Sequence, residues 1–192
     1  EIVASVRNLA PVFGGINLED ISAPSCFEVE EGLRSELDIP VMHDDQHGSA
    51  VVVLAALKNA LKLVGKPIDE ARIVISGAGA AGVATARILL AAGARNVLCV
   101  DRNGALYADR PGPSNPYKER LASVTNLDCE RGSLATVLRG KDVLIGLSAP
   151  GVVTAEDIAA MGSDPIVFAL ANPIPEIQPE ELAEVARVVA TG

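Results

Sequence analysis

One glycine turn constrains this chain more than any other feature. Gly77-Ala78-Gly79-Ala80-Ala81-Gly82 follows directly on the β-branched run Arg72-Ile73-Val74-Ile75-Ser76 and opens an Ala- and Leu-rich stretch, Gly82 to Ala92, closed by Gly93. A short apolar run, a G-x-G-x-x-G turn and a helical stretch in that order read as the start of a βαβ unit. In such a unit Gly77 permits the tight turn, Gly79 lets the backbone approach a ligand, and Gly82 lets helix and strand pack closely. The helix N-terminus then presents unpaired amides and a favourable dipole to a phosphate. All six residues, with Ala78, Ala80 and Ala81 completing the turn, are candidate contacts to a dinucleotide. The next strand, Asn96 to Asp101, ends in a carboxylate about 20 residues beyond the last glycine, where it can accept hydrogen bonds from a ribose diol. Its charge would repel a 2′-phosphate, which favours NAD, while Arg102 beside it can pair with one, which leaves NADP open. The plainer readings are a turn chosen for packing and a solvated acid at a strand end.

The rest of the chain keeps the alternation. Ser49 to Val64 reads as a mostly buried helix stopped by Gly65 and Pro67. After a loop from Arg102 to Pro116, helices are expected at Tyr117 to Val124 and Ser133 to Leu138, and strands at Asp142 to Ser148 and Pro165 to Ala171. Between those strands lies a helix capped by Thr154-Ala155-Glu156-Asp157. A helix at Glu180 to Ala186 and a strand at Arg187 to Ala190 close the chain. The fold class expected is α/β: a Rossmann-like, doubly wound, mostly parallel sheet with helices on both faces, its ligands outside the carboxyl ends of the strands. Gly146 and Ser148 at one such end are candidate cofactor contacts, and Asn172, before Pro173 at another, offers an amide toward a substrate. Residues 1–48, with a charged helix near Phe27 to Leu37, read as a lead-in segment, and 49–192 as the dinucleotide-binding domain.

Charge narrows the partners. Twenty-five acidic side chains against 16 basic ones, a net charge of −9, argue against nucleic acid, which needs clustered Lys and Arg. The longest apolar stretch, Ser49 to Leu57, falls short of the roughly 20 residues that span a bilayer, and no charged, then apolar, leader opens the chain. No membrane partner is expected. Three widely spaced cysteines, Cys26, Cys99 and Cys129, suit neither a disulfide framework nor a zinc knuckle, so a cytoplasmic location is the simplest expectation.

The acids themselves are unevenly placed. Glu19-Asp20 follows the apolar run Val12, Phe13, Ile16, Leu18, and Asp44-Asp45 follows Pro40-Val41-Met42 inside His43-Asp44-Asp45-Gln46-His47-Gly48, which holds both of the chain's histidines. Acid pairs are common in solvated turns. Carboxylates gathered where strands meet the core repel one another unless a cation joins them, and oxygen-only donors suit Mg²⁺ or Mn²⁺. A zinc site using His43 and His47 is the rival, open only if one helix carries both.

Four segments together resemble the bacterial-type malic enzymes: Phe13 to Ile21, Asp38 to Gly48, Gly77 to Gly82, and Phe168 to Pro173. The likeness runs in the same order over nearly the whole chain. It implies oxidative decarboxylation of malate to pyruvate and CO₂ with reduction of NAD or NADP. It implies that Glu19, Asp20 and Asp45 are divalent-metal ligands, that Asp44 is the neighbouring acid supporting the catalytic base, and that Asn172 lies on the substrate side. A metal chelated by malate's carboxylate and hydroxyl would acidify that hydroxyl and steady the charge left as CO₂ departs. Homodimers are usual in such a family. The family's additional N-terminal domain, with its tyrosine acid, lysine base and carboxylate-gripping arginine, has no counterpart here, and neither Tyr107 nor Tyr117 matches that tyrosine. The expectation is therefore a cofactor domain excised from a larger chain and inactive alone. A stand-alone dinucleotide-binding regulatory module, or another amino-acid or hydroxy-acid dehydrogenase, are the alternatives.

Overall fold

In the computed structural model, which describes residues 1–192, the chain runs α1 (Ile2–Leu9), β1 (Ile16–Leu18), α2 (Ser25–Glu36), β2 (Val41–His43), α3 (Asp44–Val64), β3 (Arg72–Ser76), α4 (Ala80–Ala91), β4 (Asn96–Asp101), β5 (Gly104–Ala105), α5 (Pro116–Ala122), α6 (Leu134–Leu138), β6 (Val143–Gly146), α7 (Ala155–Ala159), β7 (Ile166–Ala169) and β8 (Val188–Thr191). Six strands form one sheet in the order β5-β4-β3-β6-β7-β8, parallel throughout except for β5, which turns back on β4. The chain lays β4 on one side of β3 and then returns to lay β6 on the other. That reversal is where open α/β sheets bind ligands.

Side-chain alternation explains why the sheet is covered twice. Ile73, Ile75, Val97, Cys99, Val143, Ile145, Ile166 and Phe168 point to one face, where α3, α4 and α5 pack with Leu57, Leu89 and Leu121. Val74, Leu98, Val100, Leu144 and Val167 point to the other, beneath α6 and α7 with Leu138 and Ile158. Strands buried on both faces read as continuous apolar runs, which is how β3, β4, β6 and β7 stand out in the sequence. The fold is the expected doubly wound one.

Element boundaries differ at instructive places. The helix expected from Ser49 begins at Asp44, because two acids in its first turn favour the dipole's positive end. Gly48 does not interrupt it: a Cβ there would fall on the Asp44 carboxylate, so the glycine makes room for that side chain. The resulting 21-residue helix is long and apolar enough by those measures to cross a membrane, yet Ala50, Val53, Leu57, Ala60 and Leu61 seat it in the core. The helix expected at Glu180 to Ala186 is a single 3-10 turn, Pro179–Leu182, with Leu182 its buried anchor. One anchored turn does not recover the cost of nucleating a longer helix. Thr154 and Asp157 form the expected capping box on α7.

The first 48 residues form their own ribbon and are tied to the sheet domain through α2. β1 and β2 pair in parallel as a separate ribbon, with Leu18 opposite His43. Phe27 of α2 stacks on Tyr117 of α5, ring centroids 4.3 Å apart, and the Tyr117 hydroxyl donates to Glu31. All three cysteines are unpaired, and burial pushes the Cys99 thiol up to about 12.

Candidate functional site

The glycine turn sits where β3 meets α4, and each glycine there has a separate reason. Gly77, at φ +112°, donates its amide to the Val100 carbonyl at 2.8 Å, and a Cβ on it would overlap the carbonyl of Leu147. A Cβ on Gly82 would overlap the Gly77 carbonyl, so this glycine lets the helix close onto the turn. Gly79 has nothing within 4 Å of where a Cβ would stand and faces a cleft of about 600 Å³. Gly77, Ala78 and Gly79 floor that cleft, Asp101 and Arg102 form one wall, and Ser148 and Ala149 the opposite wall. Ala80, Ala81 and Gly82 form the first turn of α4 beneath it. A backbone floor backed by a helix N-terminus is a receptor for a diphosphate.

Asp101 stands at the end of β4 with its side chain only 6% exposed. Its Oδ1 accepts from the Asn103 amide and Arg110 Nη1, both at 2.9 Å, and its Oδ2 from Arg110 Nη2 at 2.8 Å and Lys118 Nζ at 2.7 Å. Burial works against the charged form, but Arg110, Lys118 and the amide outweigh it and hold the carboxyl well below the ordinary carboxylate range. This geometry alters the argument from bare charge. Asp101 is neutralised by two cations, Lys118 shares the cleft wall with it, and exposed Arg102 lies beside them. Arg110 lies in the loop after β5 and Lys118 in the first turn of α5, and spacing alone does not single out either.

The opposite wall is organised by a residue that no motif pointed to. Glu176, 1% exposed, accepts from the Ser148 amide on Oε1 at 2.8 Å and from the Ala171 amide on Oε2 at 3.0 Å. Gly146 lies beneath it rather than on the cleft surface: a Cβ there would come within 2.6 and 2.7 Å of the two carboxylate oxygens. Ser148 reaches the cleft, its hydroxyl 3.0 Å from that of Ser76. Asn172 is exposed beyond β7.

The remaining acids meet at the ends of the β1–β2 ribbon. With Leu18 opposite His43, Glu19-Asp20 and Asp44-Asp45 leave the ribbon side by side. Asp20, at φ +58°, donates its amide to Asp45 Oδ2 at 2.9 Å. Glu19, Asp20 and Asp44 form no ion pair, and the closest basic group to Asp45 is His43 Nε2, 3.9 Å from Oδ2. The structure brings Asp20 and Asp45 together but does not gather three acidic or histidine groups into one coordinating cluster. His43 is fully buried, and neither of its ring nitrogens has a partner. It ends β2 while His47 lies on α3, so the two do not share a helix face, which removes the i, i+4 zinc arrangement. His47 is turned instead to Glu30 of α2, Nε2 to Oε1 at 2.7 Å, and Gln46 donates to the other Glu30 oxygen at 3.2 Å. Asp45 and the unpartnered His43 offer donors side by side, and the carboxylates of Glu19, Asp20 and Asp45 are of the oxygen-donor kind that suits Mg²⁺ or Mn²⁺, without being drawn into one shell here.

Comparison with known proteins places this geometry. The family model described as malic enzyme, NAD binding domain, matches residues 46–192. An NAD-dependent malic enzyme of Geobacillus stearothermophilus is 57% identical over all of this chain, which spans 40% of that protein. An NADP-dependent malic enzyme of Rhizobium meliloti is 46% identical, again over all of this chain and 25% of that protein. The crystal structure of an NAD-dependent malic enzyme from Thermotoga maritima superimposes with a TM-score of 0.96 at 48% identity, covering all of this chain and 51% of that one.

Proposed function

Since the chain belongs to the malic enzyme family, whose NAD-binding-domain model matches most of it, we propose that it forms the dinucleotide- and metal-binding part of an enzyme that converts malate to pyruvate and CO₂ while reducing NAD(P). The observation that carries this reading is the cleft floored by Gly77, Ala78 and Gly79 at the sheet's point of reversal. Amides of the turn and of α4 take the diphosphate, and Asp101 orients the adjoining ribose. Across the cleft, Ser148 bounds the other half of the dinucleotide, and Asn172 faces the substrate.

Glu19, Asp20 and Asp45 hold Mg²⁺ or Mn²⁺, with Asp44 seated over Gly48 next to them to support the catalytic base. When bound, the cation draws electron density from malate's hydroxyl and carboxylate oxygens, and NAD(P) accepts the hydride. Tyr107 packs beneath the Arg131 guanidinium and Tyr117 is buried against Phe27, so neither is placed to pass a proton in the cleft. The family resemblance implies that the proton-transferring acid and base come from outside residues 1–192, and on this reading residues 1–192 alone are inactive.

Cofactor choice rests on the Asp101 cluster. A ribose diol competes with Lys118 for Asp101 Oδ2, whereas a 2′-phosphate is met by Lys118 and Arg102. NAD is the primary cofactor and NADP is accepted through those two cations. A cytoplasmic homodimer without membrane or nucleic-acid partners completes the reading. Unpaired cysteines support the compartment, and exposed Val51, Val52 and Leu63 along α3 support self-association. The test is an assay of the full-length protein with malate, Mn²⁺ and NAD: NADH and pyruvate should form in equal amounts. Failure to form either with both NAD and NADP would refute the reading.

A further inference from the structure

We propose that Glu176 is a positioning residue that sets the cleft wall opposite Asp101 by clamping the loops after β6 and β7 to each other. This rests on the reading of the cleft as a dinucleotide site. Glu176 is almost fully buried and forms no ion pair; its carboxylate is spent on main-chain and hydroxyl donors. Oε1 takes the Ser148 amide at 2.8 Å and its hydroxyl at 3.4 Å, Oε2 takes the Ala171 amide at 3.0 Å, and the Glu176 carbonyl accepts the Gly151 amide at 2.9 Å. One residue thus holds three amides from two loops that leave adjacent parallel strands, with Gly146 opposite Ala169 in register.

Three details tie the clamp to the cleft. Ser148 is a wall residue, and its hydroxyl meets Ser76 at the end of β3, next to the glycine turn. The neighbouring Leu147 carbonyl is the atom against which Gly77 packs without a Cβ. Ala171 precedes Asn172, the residue assigned to the substrate side. Shifting the carboxylate would therefore move Ser148 relative to Gly77 and Asn172 relative to both. Gly146 is part of the device, because any side chain there would take the space the carboxylate fills.

The chemistry requires two acceptors. Glutamine keeps one carbonyl oxygen but opposes an N–H donor with its own NH₂ group, so one loop is released. Alanine leaves both amides without these acceptors and frees both loops.

The experiment uses the full-length protein and reads NADH binding by fluorescence, together with amide hydrogen exchange at Ser148 and Ala171. Glu176→Gln should weaken NADH about 10-fold, the effect of losing one charge-assisted hydrogen bond. Gly146→Ala, which displaces the carboxylate without removing it, should act in the same direction. In both, exchange should quicken at Ser148 or Ala171 while β3 amides stay protected. If wild-type protein binds NADH, and Glu176→Gln binds it equally with unchanged exchange at both amides, the clamp is refuted and the dinucleotide reading stands. Loss of thermal stability with unaltered NADH affinity would reduce Glu176 to a purely structural residue and also overturn the proposal. Wild-type protein that binds no dinucleotide would overturn both readings.

Discussion

Acids at two corners of this molecule have opposite surroundings. At the end of β4, Asp101 is met by Arg110 and Lys118. At the ends of β1 and β2, Glu19, Asp20 and Asp44 meet no cation, and Asp45 has only His43 at 3.9 Å. The difference concerns what each site has left to give. A carboxylate already neutralised from within is a fixed strut, and a ligand reaches it only by sharing its partners. Carboxylates without an internal counter-charge remain free to take up a mobile cation. A third acid supports the rule. Asp142, at the amino-terminal ends of the central strands, accepts from Arg72 and Lys66, and it joins the start of β3 to β6 far from the cleft.

The largest effect should come from the uncompensated corner. Asp45→Ala in the full-length protein should lower Mn²⁺ affinity about 100-fold, measured by calorimetry. An unaltered affinity would make that corner an ordinary surface cluster and break the contrast. Next, Asp142→Asn should cost about 2 kcal/mol, below the figure for a fully buried pair because Arg72 is half exposed. Thermal unfolding should fall by roughly 4–8 °C while Mn²⁺ binding is kept.

The same residue carries a pH dependence. Burial opposes the charged form of Asp142, but Arg72 and Lys66 outweigh it and depress its folded pKa, so the stability it adds is complete above the unfolded value near 3.9. It is lost as pH falls from there toward the depressed folded value. Acid unfolding of Asp142→Asn should therefore be shallower than wild type over that range, and an identical slope would show that the pair does not stabilise the fold. The smallest effect tests the neutralised corner. Lys118→Gln should weaken NADP about 10-fold and NAD less than 3-fold, since only the phosphate loses a cation. Equal losses would remove Lys118 from cofactor choice.

Much of this arrangement is legible in the sequence, and the rest is hidden for identifiable reasons. β3, the glycine turn and β4 can be read because strands buried on both faces are uniformly apolar and because each glycine answers a steric demand visible in the motif. The acidic corner is legible as a set of residues, since Glu19-Asp20 and Asp44-Asp45 are adjacent pairs at apolar boundaries. Their meeting depends on β1 pairing with β2, a contact between two three-residue strands too short to announce themselves. Asp101 is found at its position, but its partners are not, because Arg110 reaches it from an irregular loop and Lys118 from the first turn of α5, whose packing against β4 no local spacing predicts. Glu176 is the clearest omission. It acts through backbone amides, which every residue carries, so no spacing of side chains can reveal it.

We propose that cation binding resides in the uncompensated corner and not at Asp101 or Asp142. Titrating Mn²⁺ into full-length wild type, Asp45→Ala and Asp142→Asn decides it. One Mn²⁺ per chain should bind in wild type and in Asp142→Asn, with about 100-fold weaker binding in Asp45→Ala. One Mn²⁺ bound with equal affinity in all three proteins would contradict it.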